Sequence, residues 1–202
     1  AHITLNLLKV ILLLPLGVLV VIFFRNIIGV STFGTFMPAL MAISFRDTGL
    51  LLGIILFAII IGLCALLSSL LDRIRLLHTP RIAIVLTTVV CVILFLTYLA
   101  IRFNILDPAY VSMFPIVILT LTVERFFIIS QERGLASALK VCAITVAVTS
   151  VTYIVMESFT VQTMIFAFPE IIFVIFALFF VIGRWTGMRL LEYSRFKVLL
   201  EV

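Results

Sequence analysis

The 202-residue chain is short of charge: 14 Lys and Arg with 9 Asp and Glu make up 11% of it, against 65% hydrophobic residues. Water-soluble domains carry about 25% charged and about 45–50% apolar residues. A mean hydropathy of +1.43 widens the contrast, and no stretch is polar enough to be cut out as a soluble domain. Histidine is nearly absent: His2 and His78 are too far apart to form a cluster, so no metal site is expected. The 3 cysteines, Cys64, Cys91 and Cys142, fall singly within apolar runs. That is neither a disulfide framework nor a metal spacing, and they read as small buried hydrophobes. Asp47, Asp72 and Asp107 all lie at the ends of apolar runs, so no pair of aspartates can meet deep in a bilayer. The nucleophile-elbow, zincin, phosphate-loop and dinucleotide-loop patterns are missing, and GVSTFG at 29–34 spaces its glycines wrongly for an elbow. No enzyme and no cofactor are expected.

What the chain does have is apolar length. Runs at 5–24, 49–71, 82–101, 109–128, 136–156 and 163–183 approximate the ~20 residues a helix needs to cross a bilayer. A seventh, short and irregular, lies at 29–46. The expected fold is all-α, a polytopic membrane helix bundle of about seven spans forming one domain over 1–202. Residues 186–202 mix basic and apolar side chains and read as a cytoplasmic interfacial helix. Pro15 should kink the first span, while Pro80 and Pro108 stand where a helix can open without loss. The chain begins at Ala1 with no signal-peptide pattern, and is expected to be processed, truncated or cut from a longer polypeptide.

The stretch 29–53 is the most informative. It is apolar, yet it carries Gly34 and Pro38 and is closed by Arg46, Asp47 and Gly49. A proline inside a helix removes one backbone bond and clashes with the carbonyl four residues back. In hydrocarbon the freed carbonyl needs another partner, so broken helices survive there only when packed in protein or lining a cavity. A similar order of residues returns at 112–138: Pro115, an apolar half-helix, Glu124 and Arg125, then Gly134 and Leu135. The spacing from proline to glycine is 11 residues in the first copy and 19 in the second. This is a weak internal repeat of the kind that marks interrupted helices in transporters; two unrelated proline kinks are the alternative.

Two acids stand apart. Glu170 follows Pro169 about seven residues into its run, roughly 10 Å below the interface if the helix is continuous. A charge there is costly, so Glu170 is expected to face the bundle beside Pro38 or Pro115, bonded to hydroxyls such as Thr149 or Thr152. Proton coupling or substrate contact is one reading, a structural clasp the other. Glu124 and Arg125 are nearer the other end of their run, and adjacent helical residues need separate partners; snorkelling to the interface competes with a functional role.

The net charge of +5 would suit nucleic acid, but the basic residues sit at span ends, which is topology rather than a binding patch. With seven crossings and the N-terminus outside, 11 of the 14 basic residues are cytoplasmic and only Lys9, Arg46 and Arg102 are not. Six spans with a re-entrant 26–46 and the N-terminus inside score the same, so charge alone leaves both open. Both put the C-terminus in the cytoplasm and gather Arg73, Arg75, Arg81, Arg133, Arg184, Arg189 and Arg195 on one face as a candidate docking surface.

RNIIG at 25–29, TFGTFMPALMAISFRDT at 32–48, FPIVILTLTVER at 114–125, QERG at 131–134, FPE at 168–170 and GRWTGMRLLEYSRF at 183–196 together resemble a bacterial family. It is the seven-transmembrane domain usually fused to an inactive transglutaminase-like domain. More distantly, such families look like the small membrane subunit of poly-gamma-glutamate synthase. The resemblance implies as partners an ATP-grasp glutamate-ligase-like enzyme and a retropepsin-like protease, and an upstream periplasmic domain. It favours seven crossings in a bacterial inner membrane, N-terminus periplasmic.

Three functional readings follow. The first is a non-enzymatic membrane subunit of a peptide-ligase system, docking the cytoplasmic ligase and holding or passing its acidic product. The second is an ion- or proton-coupled transporter using Glu124 and Glu170. The third is a sensor relaying the state of a periplasmic domain. Pathway candidates are Gly34, Pro38, Arg46, Asp47, Pro115, Glu124, Arg125, Pro169 and Glu170. The bilayer is a certain partner, and the sequence leaves a homo-oligomer open.

Overall fold

The computed structural model describes residues 2–72, 80, 83–84, 87–88, 90–92, 94–95, 98, 102 and 113–184. Arg73, Arg75, Arg81, Arg189, Arg195, the helix start at Pro108 and the interfacial helix at 186–202 lie outside the described residues. Seven α-helices can be bounded: α1 His2–Phe23, α2 Met37–Thr48, α3 Leu50–Asp72, α4 Met113–Arg133, α5 Leu135–Glu157, α6 Phe159–Ala167 and α7 Ile171–Gly183. Pro80 and the described residues from 83 to 102 are helical as well. Among the described residues there is no strand.

By length and composition, Val10–Ile28 and Leu135–Glu157 can cross a membrane unaided, and α6 with α7 makes a third if that bent pair is one span. Leu50–Leu63 is a shorter apolar helix. Seven crossings are therefore not individually visible among the described residues. α2, with 12 residues, is about 18 Å long and cannot span a hydrocarbon layer of about 30 Å alone.

The prolines do something other than the sequence suggests. Pro38 is the second residue of α2 and Pro115 the third of α4. In a first turn the missing N–H costs nothing and the fixed φ suits the helix. Pro38 thus opens a half-helix rather than ending one. α1 runs on through Pro15. The expected single span at 163–183 is instead broken, with α6 and α7 bent by 109°. The cause is local: the residue before a proline is pushed out of the helical region, and Phe168, before Pro169, sits at φ −132° and ψ 79°.

Two corners of the chain share one geometry. α2 passes to α3 at Gly49 and α4 to α5 at Gly134, each a single residue at φ +83°. Each glycine carbonyl then accepts the first bond of the next helix, from Gly53 N–H at 2.9 Å and Ala138 N–H at 3.2 Å.

The chain divides into two compact units, residues 1–43 with 144–202, and residues 44–143. In the first, the inner face of α1 (Leu13, Gly17, Val18, Val21) meets Ala39, Ala42 and Ile43 of α2 and Val148, Thr152 and Met156 of α5. Ile165 of α6 and Ile171 of α7 complete the contact. Hydrophobicity cannot hold helices together in lipid, so close approach through small residues must. A Cβ on Gly17 would stand 2.9 Å from Met156 Sδ and 3.4 Å from both Ala39 Cβ and Thr152 Cγ2. In the second unit Phe57, Ile60, Ile118, Val123, Phe126 and Phe127 are buried, and Phe45 lies against Gly53 across the Gly49 corner.

Candidate functional site

The site is the stretch where the first long helix comes apart. GVSTFGTF, residues 29–36, combines glycines, β-branched residues and hydroxyl residues, all poor helix formers. The helix loosens before it ends. Residues Phe24–Ile28 form a π-turn, a geometry that recurs at functional sites. Gly29 N–H and Val30 N–H both donate to Phe24 O, at 3.0 and 3.3 Å. From there to Met37 the backbone is not helical, and Gly34 stands at φ +119°, a conformation L side chains rarely adopt.

Three hydrogen bonds pin this segment. Arg25 Nη1 donates to Thr35 Oγ1 at 2.7 Å, tying the π-turn to the far end of the break. Thr32 Oγ1 donates to Gly34 O at 2.7 Å. Phe33, buried, donates its backbone N–H to Thr145 Oγ1 of α5 at 3.1 Å. A buried N–H left without a partner costs about 1–3 kcal/mol, so the last bond bears most on the shape of the break. Thr145 belongs to a face of α5 with Thr149 and Thr152, all three fully buried. Thr149 and Thr152 return their hydroxyls to their own helix, to Thr145 O at 2.7 Å and Val148 O at 2.8 Å. The opposite side of the broken segment is open: Arg25, Ser31 and Phe36 are exposed.

Of the residues singled out by sequence, Gly34 lies in the break and Pro38, buried, starts the helix after it. Glu170 is a correction. It is exposed, not turned into the bundle, and its side chain makes no cap bond. It occupies the N-terminal end of α7, where the helix dipole favours a carboxylate. Thr149 and Thr152, proposed as its partners, are committed to α5. Pro169, also exposed, forms the corner with Glu170, closed by Ile171 N–H to Phe168 O at 3.0 Å and Phe173 N–H to Glu170 O at 2.9 Å. Neighbouring Ile171 does pack on the cluster containing Ala42 and Ile43.

The remaining candidates belong to the second unit, except Arg184, which belongs to the first. Arg46 is half-buried in the last turn of α2, next to Asp47. Pro115 opens α4, while Glu124 is half-buried and Arg125 exposed further along it. Arg133 and Arg184, the described members of the expected docking face, are both exposed. No group of three or more His, Cys, Asp or Glu among the described residues could hold a metal ion. Sequence reasoning missed Arg25, Thr35 and Thr145. The signals were there: an arginine ten residues before a threonine across a glycine-rich break, and hydroxyls at 145, 149 and 152 on one helical face.

Long apolar helices, hydroxyls bonded to their own backbone and small residues at the crossings define a helical membrane protein with a helix interrupted at residues 29–36. Residues 3–200 match the family described as 7 transmembrane helices usually fused to an inactive transglutaminase, and the chain belongs to that family. No match was found among curated proteins or among solved structures.

Proposed function

We propose that this domain is a non-enzymatic membrane subunit of a peptide (glutamate) ligase system. Its basic face docks a cytoplasmic ATP-grasp ligase-like enzyme, and its interrupted segment holds or passes the acidic product. The observation that carries this reading is the segment 29–36: irregular backbone built into a helical domain and fixed by Thr145, Arg25 and Thr32. Irregular backbone at membrane depth is tolerated where it is buried in protein or lines a cavity, and this segment is buried at Phe33 on one side and open on the other. A companion described as inactive supports a binding rather than a catalytic role for the assembly. A retropepsin-like protease is the second partner on this reading.

The orientation proposed is N-terminus periplasmic in a bacterial inner membrane, and the bend between α6 and α7 bears on it. If that pair crosses, Arg184, Arg189, Arg195 and Lys197 join seven others and 11 of the 14 basic residues are cytoplasmic. If it turns back, those four move outside and the count becomes seven against seven. The positive-inside bias therefore favours a broken crossing.

The transporter reading loses support, because Glu170 is exposed at a helix start. Purification of the full-length protein from its own cells in mild detergent tests the leading one. The ligase-like protein should co-purify, and Arg133→Gln with Arg184→Gln should release it at raised salt, where screened charge pairs weaken. Absence of the ligase from the wild-type preparation overturns the reading.

A further inference from the structure

We infer that α6 is an in-plane helix seated in the interface of one leaflet, with lipid as the partner of its outer face, and that α7 crosses without it. This rests on packing inside the first compact unit and is independent of the ligase reading. Two core clusters mark two levels along α1. The first gathers Val10, Leu12, Leu13 and Leu16, the second Val18, Val21, Ile22 and Phe24. α5 passes both levels in the opposite sense to α1, with Val148 at the second and Met156 at the first. α7 runs with α1, placing Ile171 at the first level and Phe179 at the second, and it also touches the π-turn. α6 stays at one level: Val161 and Ile165 both pack on the first cluster. Since α7 follows α1 and is bent 109° from α6, α6 lies crosswise to the span.

The same register gives the depth. The apolar span opens at Val10, and Leu13 is three residues further on, about 4.5 Å inside it. Interfacial helices bury their apolar face about 5–10 Å into the boundary between headgroups and acyl chains. From that level the 13 residues of α7 cover about 20 Å. Arg184 then stands within snorkelling reach of the far side of a core about 30 Å thick. Glu170, exposed beside Ile171, falls at the near interface, where a carboxylate meets water.

The outer surface suits this position. Phe159 and Met164 on α6 and Phe168 at its end are 82%, 55% and 59% exposed. Thr160 and Thr163, also exposed, lie between Phe159 and Met164 around the helix. Thr163 Oγ1 donates to Phe159 O at 2.8 Å, so it needs no partner from outside. Gln162 turns the other way and donates through Nε2 to Met156 O at 3.0 Å, tying α6 to the end of α5. The rival arrangement makes α6 the first half of a bent crossing, with its residues at successive depths.

Nitroxide labels at 159, 163 and 167, all exposed positions, separate the two. They are placed one at a time on the full chain in phosphatidylglycerol–phosphatidylcholine bilayers, with Cys64, Cys91 and Cys142 replaced by alanine. Relative collision with oxygen and with a water-soluble nickel chelate reads the depth. The three labels should agree within about 3 Å, the rise of two residues, where a crossing helix predicts about 12 Å from first to last. Labels at 173 and 180 on α7 should differ by about 10 Å. Should the cysteine-free chain fold poorly, lysine substitution in the native sequence gives the same reading. Thr163→Lys and Ala167→Lys should keep wild-type yield in the membrane, and Phe176→Lys, deeper on an exposed side of α7, should lose most of it. A steady depth gradient along α6, or a loss for Ala167→Lys as large as for Phe176→Lys, overturns the proposal. So does shielding of the α6 labels from both collision agents, which would mean that a second copy or another protein covers this face.

Discussion

Gly53 offers the sharpest check on how the α2–α3 corner is held. A Cβ added there would overlap Phe45 Cδ1 and stand 2.9 Å from Cε1 and Cγ, where ordinary contact begins at 3.4 Å. Phe45 is 2% exposed and cannot swing away into open space. Overpacking of this kind costs about 1–3 kcal/mol. Against it, alanine in place of glycine within a helix gains about 0.8–1 kcal/mol. Gly53→Ala is therefore expected to destabilise by roughly 0–2 kcal/mol. The same helix supplies its own control: a Cβ on Gly62 meets nothing within 4 Å, so Gly62→Ala should show the gain alone. The difference between the two variants cancels propensity and unfolded-state effects, leaving the overlap of about 1–3 kcal/mol. Unfolding in mixed micelles, titrated with a denaturing detergent, measures it. Adding Phe45→Leu should recover most of the loss in Gly53→Ala. If Gly53→Ala and Gly62→Ala stabilise alike, Phe45 does not rest on Gly53 and the packing of this corner is wrong.

Thr145→Val withdraws the acceptor from the buried Phe33 N–H while keeping the shape, and should cost about 1–3 kcal/mol. Thr149→Val, whose hydroxyl serves only its own helix, should cost clearly less, and equal costs in the same unfolding titration would refute the pinning of the segment. Pro38→Ala should leave stability within about 0.5 kcal/mol, because a first-turn proline removes no helical bond; a large change in either direction would restore the kink. Glu170→Leu should fold and insert normally, since the side chain is exposed, and aggregation or misinsertion of that variant would show that the carboxylate is bonded inside the bundle.

The long helices among the described residues were legible because hydropathy is a sum over some 20 residues and tolerates local error. α3 and α5 lie within a residue or two of the runs at 49–71 and 136–156. The two glycine corners were legible too, since charged residues followed by Gly-Leu mark a helix end and a fresh start. Failures came where one residue outweighs the sum. The run 163–183 is apolar throughout, yet the backbone restriction that Pro169 places on Phe168 breaks it. The hydropathy of the run hid the corner, and with it the exposed position of Glu170 at the start of α7. The bond from Phe33 to Thr145 joins residues 112 apart, and no periodicity in an irregular stretch announces such a partner. Arg25 was visible only as a topological charge, because its bond to Thr35 depends on the π-turn that aims it.

The corners at Gly49 and Gly134 distribute slack along the chain unevenly. A connection of one residue stores no extra length, so α2 and α3 are joined without spare chain, and likewise α4 and α5. The eight residues from Gly29 to Phe36 are different: their contour exceeds what a helix of the same count would use, and their side-chain pins can be released one at a time. Those eight residues can therefore change length without breaking a helical hydrogen bond, whereas a change at either glycine would disturb the first bond of the next helix.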